Sequence, residues 1–283
     1  MPSGFPLSSN EVASICDATR KIVGFELPKA ARKPFLEFHS YITGDPKPAF
    51  MLQSETHLGA KRWNDRLTNG ILDATQNALA CVYYHHHRVS TMERDVIELI
   101  EQSGVINRLR QRNAGFSPGN TIALDAEYQA FILAARRCLD YLTRALAGYF
   151  RDDFHSFTKF GKFLTNRKPA TVAKSLKVEH SFYLERFARS LLSLGEAKST
   201  RDLISHYEYM SAGVLNINSH GVFLAGGGEQ LGWDTIREGK TLSRVMDDHK
   251  IFLQACIENL LGKFIAASML YERKGKRGSD PSS

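Results

Sequence analysis

The sequence predicts a mainly α protein, a multi-helix bundle carrying one small β-hairpin near residues 213–225. Three observations predict it. Several segments space their apolar residues by three and four, the period of a helix with one buried face. A single short region alternates with the period of a strand instead. Hydrophobic residues make up 43% of the 283, enough apolar surface for a substantial core.

In chain order, residues 9–23 form a first helix, with Ser8 or Ser9 as N-cap and Val12, Ile15, Cys16 and Ile22 on its apolar side. Leu27 and Pro28 interrupt it. A second helix from Lys29 to Ile42 stops at Gly44-Asp45-Pro46-Lys47-Pro48, whose prolines and glycine mark a loop. Between Leu58 and Tyr84, the residues Leu67, Ile71, Ala74, Ala78 and Cys81 keep a helical period that Gly70 weakens. Thr91 then offers an N-cap to a new helix through Val96, Ile100, Val105 and Leu109, and residues 113–119 break it.

The strongest pattern is 124–149, where Tyr128, Phe131, Ala135, Leu139, Leu142, Leu146 and Tyr149 form one stripe. Ile132, Cys138 and Ala145 widen it, which suits a central helix. A basic stretch, 159–177, is broken by Pro169. The helical period resumes over 178–194, with Gly195 as the left-handed residue past its end. Thr200 caps a short helix from Arg201 to about Tyr209. The alternations Val214 to Asn218 and Gly221 to Leu224 flank Ser219-His220-Gly221, a hairpin turn, and Gly226-Gly227-Gly228 ends the unit. A last helix over 241–271 is about 45 Å long at 1.5 Å per residue.

The organisation predicted is an N-terminal helical region, 1–115, and a second bundle, 120–272, with the hairpin inserted, unless the two form one continuous unit over 1–272. Residues 273–283 are expected to be a disordered basic tail. The formal charge of +7 is partly in that tail, through Arg273, Lys274, Lys276 and Arg277. What remains is a mild excess that favours polyanionic partners. Cys16, Cys81, Cys138 and Cys256 stand far apart, with no CxxC or finger-type spacing, and are expected to be reduced core thiols. The N-terminus lacks the pattern of a signal peptide and no 18-residue apolar segment is evident, so a cytoplasmic location without a membrane partner is expected.

Few residue patterns carry chemistry. Consecutive His85, His86 and His87 point about 100° apart on a helix, a poor chelate, and are expected at a solvated helix end. Glu229 and Gln230 follow the glycine triplet where a phosphate loop needs Lys and then Ser or Thr. No GxSxG occurs, and no metal or cofactor is expected. What remains is Arg201-Asp202-Leu203-Ile204-Ser205-His206. A guanidinium is a permanently charged fork for phosphate oxygens, and an imidazole moves protons near neutral pH. On a continuous helix the two lie about 500° apart in rotation, so they converge only if the backbone bends or a second subunit contributes.

With the preceding helix that carries Phe131, Ala135, Arg136, Leu139, Asp140 and Leu142, this segment resembles the Arg-x4–6-His signature of the HEPN superfamily, helical bundles of toxins and RNA-processing or antiviral nucleases. The likeness covers about residues 124–271. Asp202 stands where that family often has asparagine, and Glu208 where one toxin branch has tyrosine. The resemblance implies a homodimeric, metal-independent endoribonuclease, a toxin or defence effector, acting on RNA. Arg201 would hold the scissile phosphate, His206 would handle the 2′-hydroxyl proton, and Asp202 would orient either. The other reading keeps the bundle but removes turnover, leaving a surface that binds a protein partner or a nucleotide.

Overall fold

The computed structural model describes residues 8–188, 190–193, 198–206, 209–225, 234–235 and 241–278. Its helices are α1 (Ser9–Val23), α2 (Lys29–Thr43), α3 (Ala49–Thr56), α4 (Leu58–Asn69), α5 (Gln76–Ser103), α6 (Val105–Arg112), α7 (Ile122–Tyr149), α8 (Phe160–Leu164), α9 (Ala170–Arg186), α10 (Thr200–His206) and α11 (Leu242–Gly278). The mainly α class predicted from periodicity is the class observed. α7 is the centre. α5 and α4 both pack against it, and α11 lies against α9, α5 and α2. One cluster of buried apolar side chains runs from Leu27 to Ala267.

The stripe on α7 is the reason for its place. Phe131, Cys138, Leu139, Leu142 and Leu146 are all 0% exposed, and together they form one buried face about 100° wide. Close approach decides what happens at Gly70, where α4 gives way to a π-helical turn, Gly70–Thr75, before α5. A Cβ at Gly70 would sit 2.7 Å from the Cβ of Ala145, so only glycine lets the turn lie against α7. Leu67 before the widened turn and Ile71 inside it are both buried. The Thr75 hydroxyl donates to the Gly70 carbonyl at 2.6 Å, satisfying an acceptor that the widening disturbs.

The hairpin predicted near 213–225 is β2 (Val214–Asn218) and β3 (Gly221–Ala225), with Asn218 opposite Gly221 across Ser219 and His220. Gly221 has φ of 145°, a conformation that a side chain would oppose. β1 (Gly115–Phe116) and β4 (Asp234–Thr235) extend the pair into an antiparallel sheet in the order β1-β2-β3-β4. Two residues are too few to show alternation, so those strands left no periodic signal.

Several expectations need correction. Thr91 caps nothing: α5 runs through it to Ser103, because Val82, Val89 and Ile100 continue one buried side, and Gly104, at φ of 61°, ends the helix. The helix expected over 178–194 is α9, which starts at Ala170 and ends at Arg186. Pro169 precedes its first turn, where a missing N–H costs nothing, and the chain turns back after Phe187. α11 continues to Gly278, so part of the tail is helical. Residues 242–274 are also long and apolar enough to cross a bilayer by length and composition. Their apolar positions Leu242, Met246, Leu253, Leu260 and Phe264 are 0% exposed within the bundle. Cys16 and Cys81 are exposed, while Cys138 and Cys256 are core thiols. Gly195 and the triplet 226–228 lie outside the described residues.

His85, His86 and His87 sit in the middle of α5 and not at a solvated end. Glu127 of α7 holds the His85 Nδ1 at 2.6 Å, and the Ser243 carbonyl lies 3.1 Å from the His86 Nε2. Burial and the nearby Lys250 ammonium hold the His86 pKa below that of an ordinary histidine. His87 packs against Phe25. Each ring has its own neighbour, and the triplet joins α5 to α7 and α11.

Candidate functional site

α7 positions the segment around Arg201 through two anchors. At one, Arg136 pairs with Asp140 one turn on, Nε to Oδ2 at 2.9 Å, and its Nη1 reaches the Leu191 carbonyl at 3.5 Å. Asp140 also accepts the Phe157 N–H at 3.2 Å. This fixes the loop after α7 and the turn after α9 together. At the other anchor, buried Asp125 accepts from the Tyr209 hydroxyl at 2.7 Å, the Ser211 hydroxyl at 3.1 Å and the Ala212 N–H at 2.6 Å. α10 is suspended between the two.

The start of α10 is built by serines. The Asp202 N–H donates to the Ser199 hydroxyl at 3.2 Å, and the Leu203 N–H donates to the Ser199 carbonyl at 3.0 Å. Ser199 is therefore the N-cap in place of Thr200. The hydroxyls of Ser199 and Ser193 donate to Asp202 Oδ2, so the carboxylate returns the Ser199 cap from three residues on and ties in Ser193 from nine residues back. Ser199 and Ser193 were not singled out in the sequence. The spacing Ser199-Thr200-Arg201-Asp202 before an apolar Leu203-Ile204 is the signal that could have found the first.

Arg201 folds back on its neighbour. Its Nη1 donates to Asp202 Oδ1 at 2.6 Å, its backbone N–H donates to the Ser190 carbonyl at 3.2 Å, and its Nε is buried with no partner. The side chain as a whole is 29% exposed. Burial works against the Asp202 carboxylate, but hydrogen bonds from Ser193, Arg201 and Ser199 outweigh it and hold the pKa below the usual carboxylate value. Asp202 is thereby occupied on both oxygens, which makes it a holder of Arg201 and of the helix start.

His206 is the last residue of α10, and its side chain lies outside the described residues. α10 is one uninterrupted helix from Thr200 to His206, so the chain does not bend to bring Arg201 and His206 to one side. Among the described residues no group of three or more His, Cys, Asp or Glu could hold a metal ion. A hollow of about 390 Å³ lined by Glu93, Thr121 and Leu124, and one of about 470 Å³ lined by Arg62, Arg66 and Arg144, are lined by none of the residues around Arg201. No protein-family model, curated protein or solved structure matches the chain.

Asp202→Ala should cost about 1–3 kcal/mol, because the hydroxyls of Ser193 and Ser199 and the Arg201 guanidinium lose their acceptor. The pH sign follows from the lowered pKa. The contribution is whole above the ordinary carboxylate value and disappears as pH falls through the lower, folded value. Urea unfolding of wild type and variant should differ at neutral pH and converge in acid; an equal gap at both would remove this role.

Proposed function

We propose that this helical bundle is a metal-independent endoribonuclease of the HEPN type, a cytoplasmic toxin or defence effector, with Arg201 as phosphate ligand and His206 as proton carrier. The observation that supports it is Arg201, held through one guanidinium nitrogen by Asp202 with 29% of its side chain exposed at the start of the helix that His206 ends. Five positions along an unbent helix are about 500° of rotation, about 140° past a full turn. The working site therefore combines Arg201 of one copy with His206 of a second. His206 takes the 2′-hydroxyl proton, the freed oxygen bonds to phosphorus, and the bond to the 5′-oxygen breaks, that oxygen leaving with a proton. The products are a 2′,3′-cyclic phosphate and a 5′-hydroxyl. Arg201 offsets the charge gathered on the phosphoryl oxygens.

Arg201→Ala and His206→Ala should each abolish cleavage of mixed RNA with thermal stability nearly unchanged, and Arg201→Lys should not restore it, since lysine lacks the planar fork. Cleavage should persist in chelator. Intact RNA at every protein concentration would sink the proposal. The engagement of Asp202 by three donors favours the second reading, in which the same surface binds a protein partner or nucleotide without turnover, because Arg201 is already ion-paired.

A further inference from the structure

α1 is an amphipathic helix that has no partner among the described residues. Every residue from Ser8 to Glu26 is exposed, and Val12, Ile15, Ile22 and Val23 are 45%, 54%, 82% and 77% exposed. With Cys16 those side chains fall within an arc of about 120° at 100° per residue, interrupted by Thr19. The helix is well begun: the Ser8 hydroxyl and the Glu11 carboxylate form a capping box. It is tied to the bundle at its far end by Phe25, whose ring meets Tyr84 edge-on at 5.7 Å, and by buried Leu27. A 15-residue helix gains little stability by itself in water, where lengths of about 12–15 residues are marginal. Such a helix is completed by whatever covers its apolar side.

The charges indicate what that is. Glu11 lies in the first turn of α1 and Arg20 and Lys21 in the last, with Asp17 paired to Arg20 at 3.2 Å within the helix, so the helix is neutral overall and Glu11 and Lys21 leave its two ends opposite in charge. A neutral helix has no attraction to an anionic lipid surface, which favours a basic polar face. Laid against a copy of itself in antiparallel sense, it sets acidic residues beside basic ones and opposes the two helix dipoles, whereas a parallel pair sets like charges together. We propose that α1 is a self-association helix that pairs antiparallel with α1 of a second copy of this chain, burying Val12, Ile15, Ile22 and Val23 about a two-fold axis. Such contacts are isologous and close at two copies. Two helices about 22 Å long cover less than the area of about 1,200 Å² of a standard interface, so the dimer is reversible. The inference stands on α1 alone and does not depend on the nuclease reading.

The test is sedimentation and light scattering of the full chain from about 1 to about 100 µM, the range expected for a small interface. Wild type should move from the monomer to the dimer mass. Ile15→Asp with Ile22→Asp should hold the monomer mass throughout, with an unchanged melting temperature, since α1 buries none of its residues. Glu11→Lys and Lys21→Glu should each weaken association, and the two together should recover it. A monomer at every concentration overturns the proposal, as does a dimer that survives the two aspartates. Failure of the double charge exchange to recover association overturns the antiparallel pairing. Wild-type monomer that co-sediments with phosphatidylserine vesicles, and loses that binding in the aspartate variant, assigns α1 to a membrane instead.

Discussion

Leu139→Asp is expected to leave no folded bundle. Leu139 is 0% exposed at the middle of α7, the helix against which α4, α5 and α10 all pack. Removing a buried leucine costs about 2–5 kcal/mol in lost transfer energy and cavity, and the new carboxylate either stays ionised without a partner or takes up a proton, each at further cost. Against a total stability of about 5–15 kcal/mol for a typical domain, the sum reaches the whole margin. Circular dichroism should lose its cooperative thermal transition. An unchanged melting temperature would show that the α7 stripe is not the core.

Phe264→Ala should be nearly as severe, by about 3–5 kcal/mol, for a different reason. Phe264 of α11 is 0% exposed and sits among four rings from three other helices: Phe38 at 6.2 Å, Tyr41 at 6.5 Å, Phe50 at 6.3 Å and Tyr149 at 5.0 Å between centroids. The contacts with Tyr41, Phe50 and Tyr149 are edge-to-face, an arrangement worth about 0.5–1.5 kcal/mol per pair beyond area alone. Because α2, α3 and α7 each supply part of this cluster, none of them can close the gap by moving alone. Urea denaturation should show the midpoint fall sharply, and a much smaller fall for Phe264→Leu, which keeps most of the volume. Equal losses for the two variants would place the energy in ring geometry and not in filling.

The candidate site was legible in kind and not in arrangement. Arg201, Asp202 and His206 were visible as residue types near one another in sequence. The occupation of Asp202 was not, because Ser193 comes from the turn after α9 and that turn is placed by Arg136 of α7, 57 positions away in the chain. The histidine triplet misled for the same reason. Its neighbours Glu127 and Ser243 belong to other helices, and a local pattern contains no trace of them.

What the sequence by itself determined is local: the mainly α class, the stripe that makes α7 central, a serine cap for α1 at Ser8 or Ser9, the breaks at residues 44–48 and 113–119, and the hairpin about Ser219 and His220. Each rests on periodicity or on turn chemistry among residues a few places apart. Only the tertiary structure decided that Thr91 lies inside α5, that the helix after Pro169 begins at Ala170, that Gly70 marks a close contact with Ala145, and that the apolar side of α1 stays open to solvent. Those outcomes depend on which surfaces meet. An apolar stripe states that a face seeks a partner, and packing alone states whether it has found one.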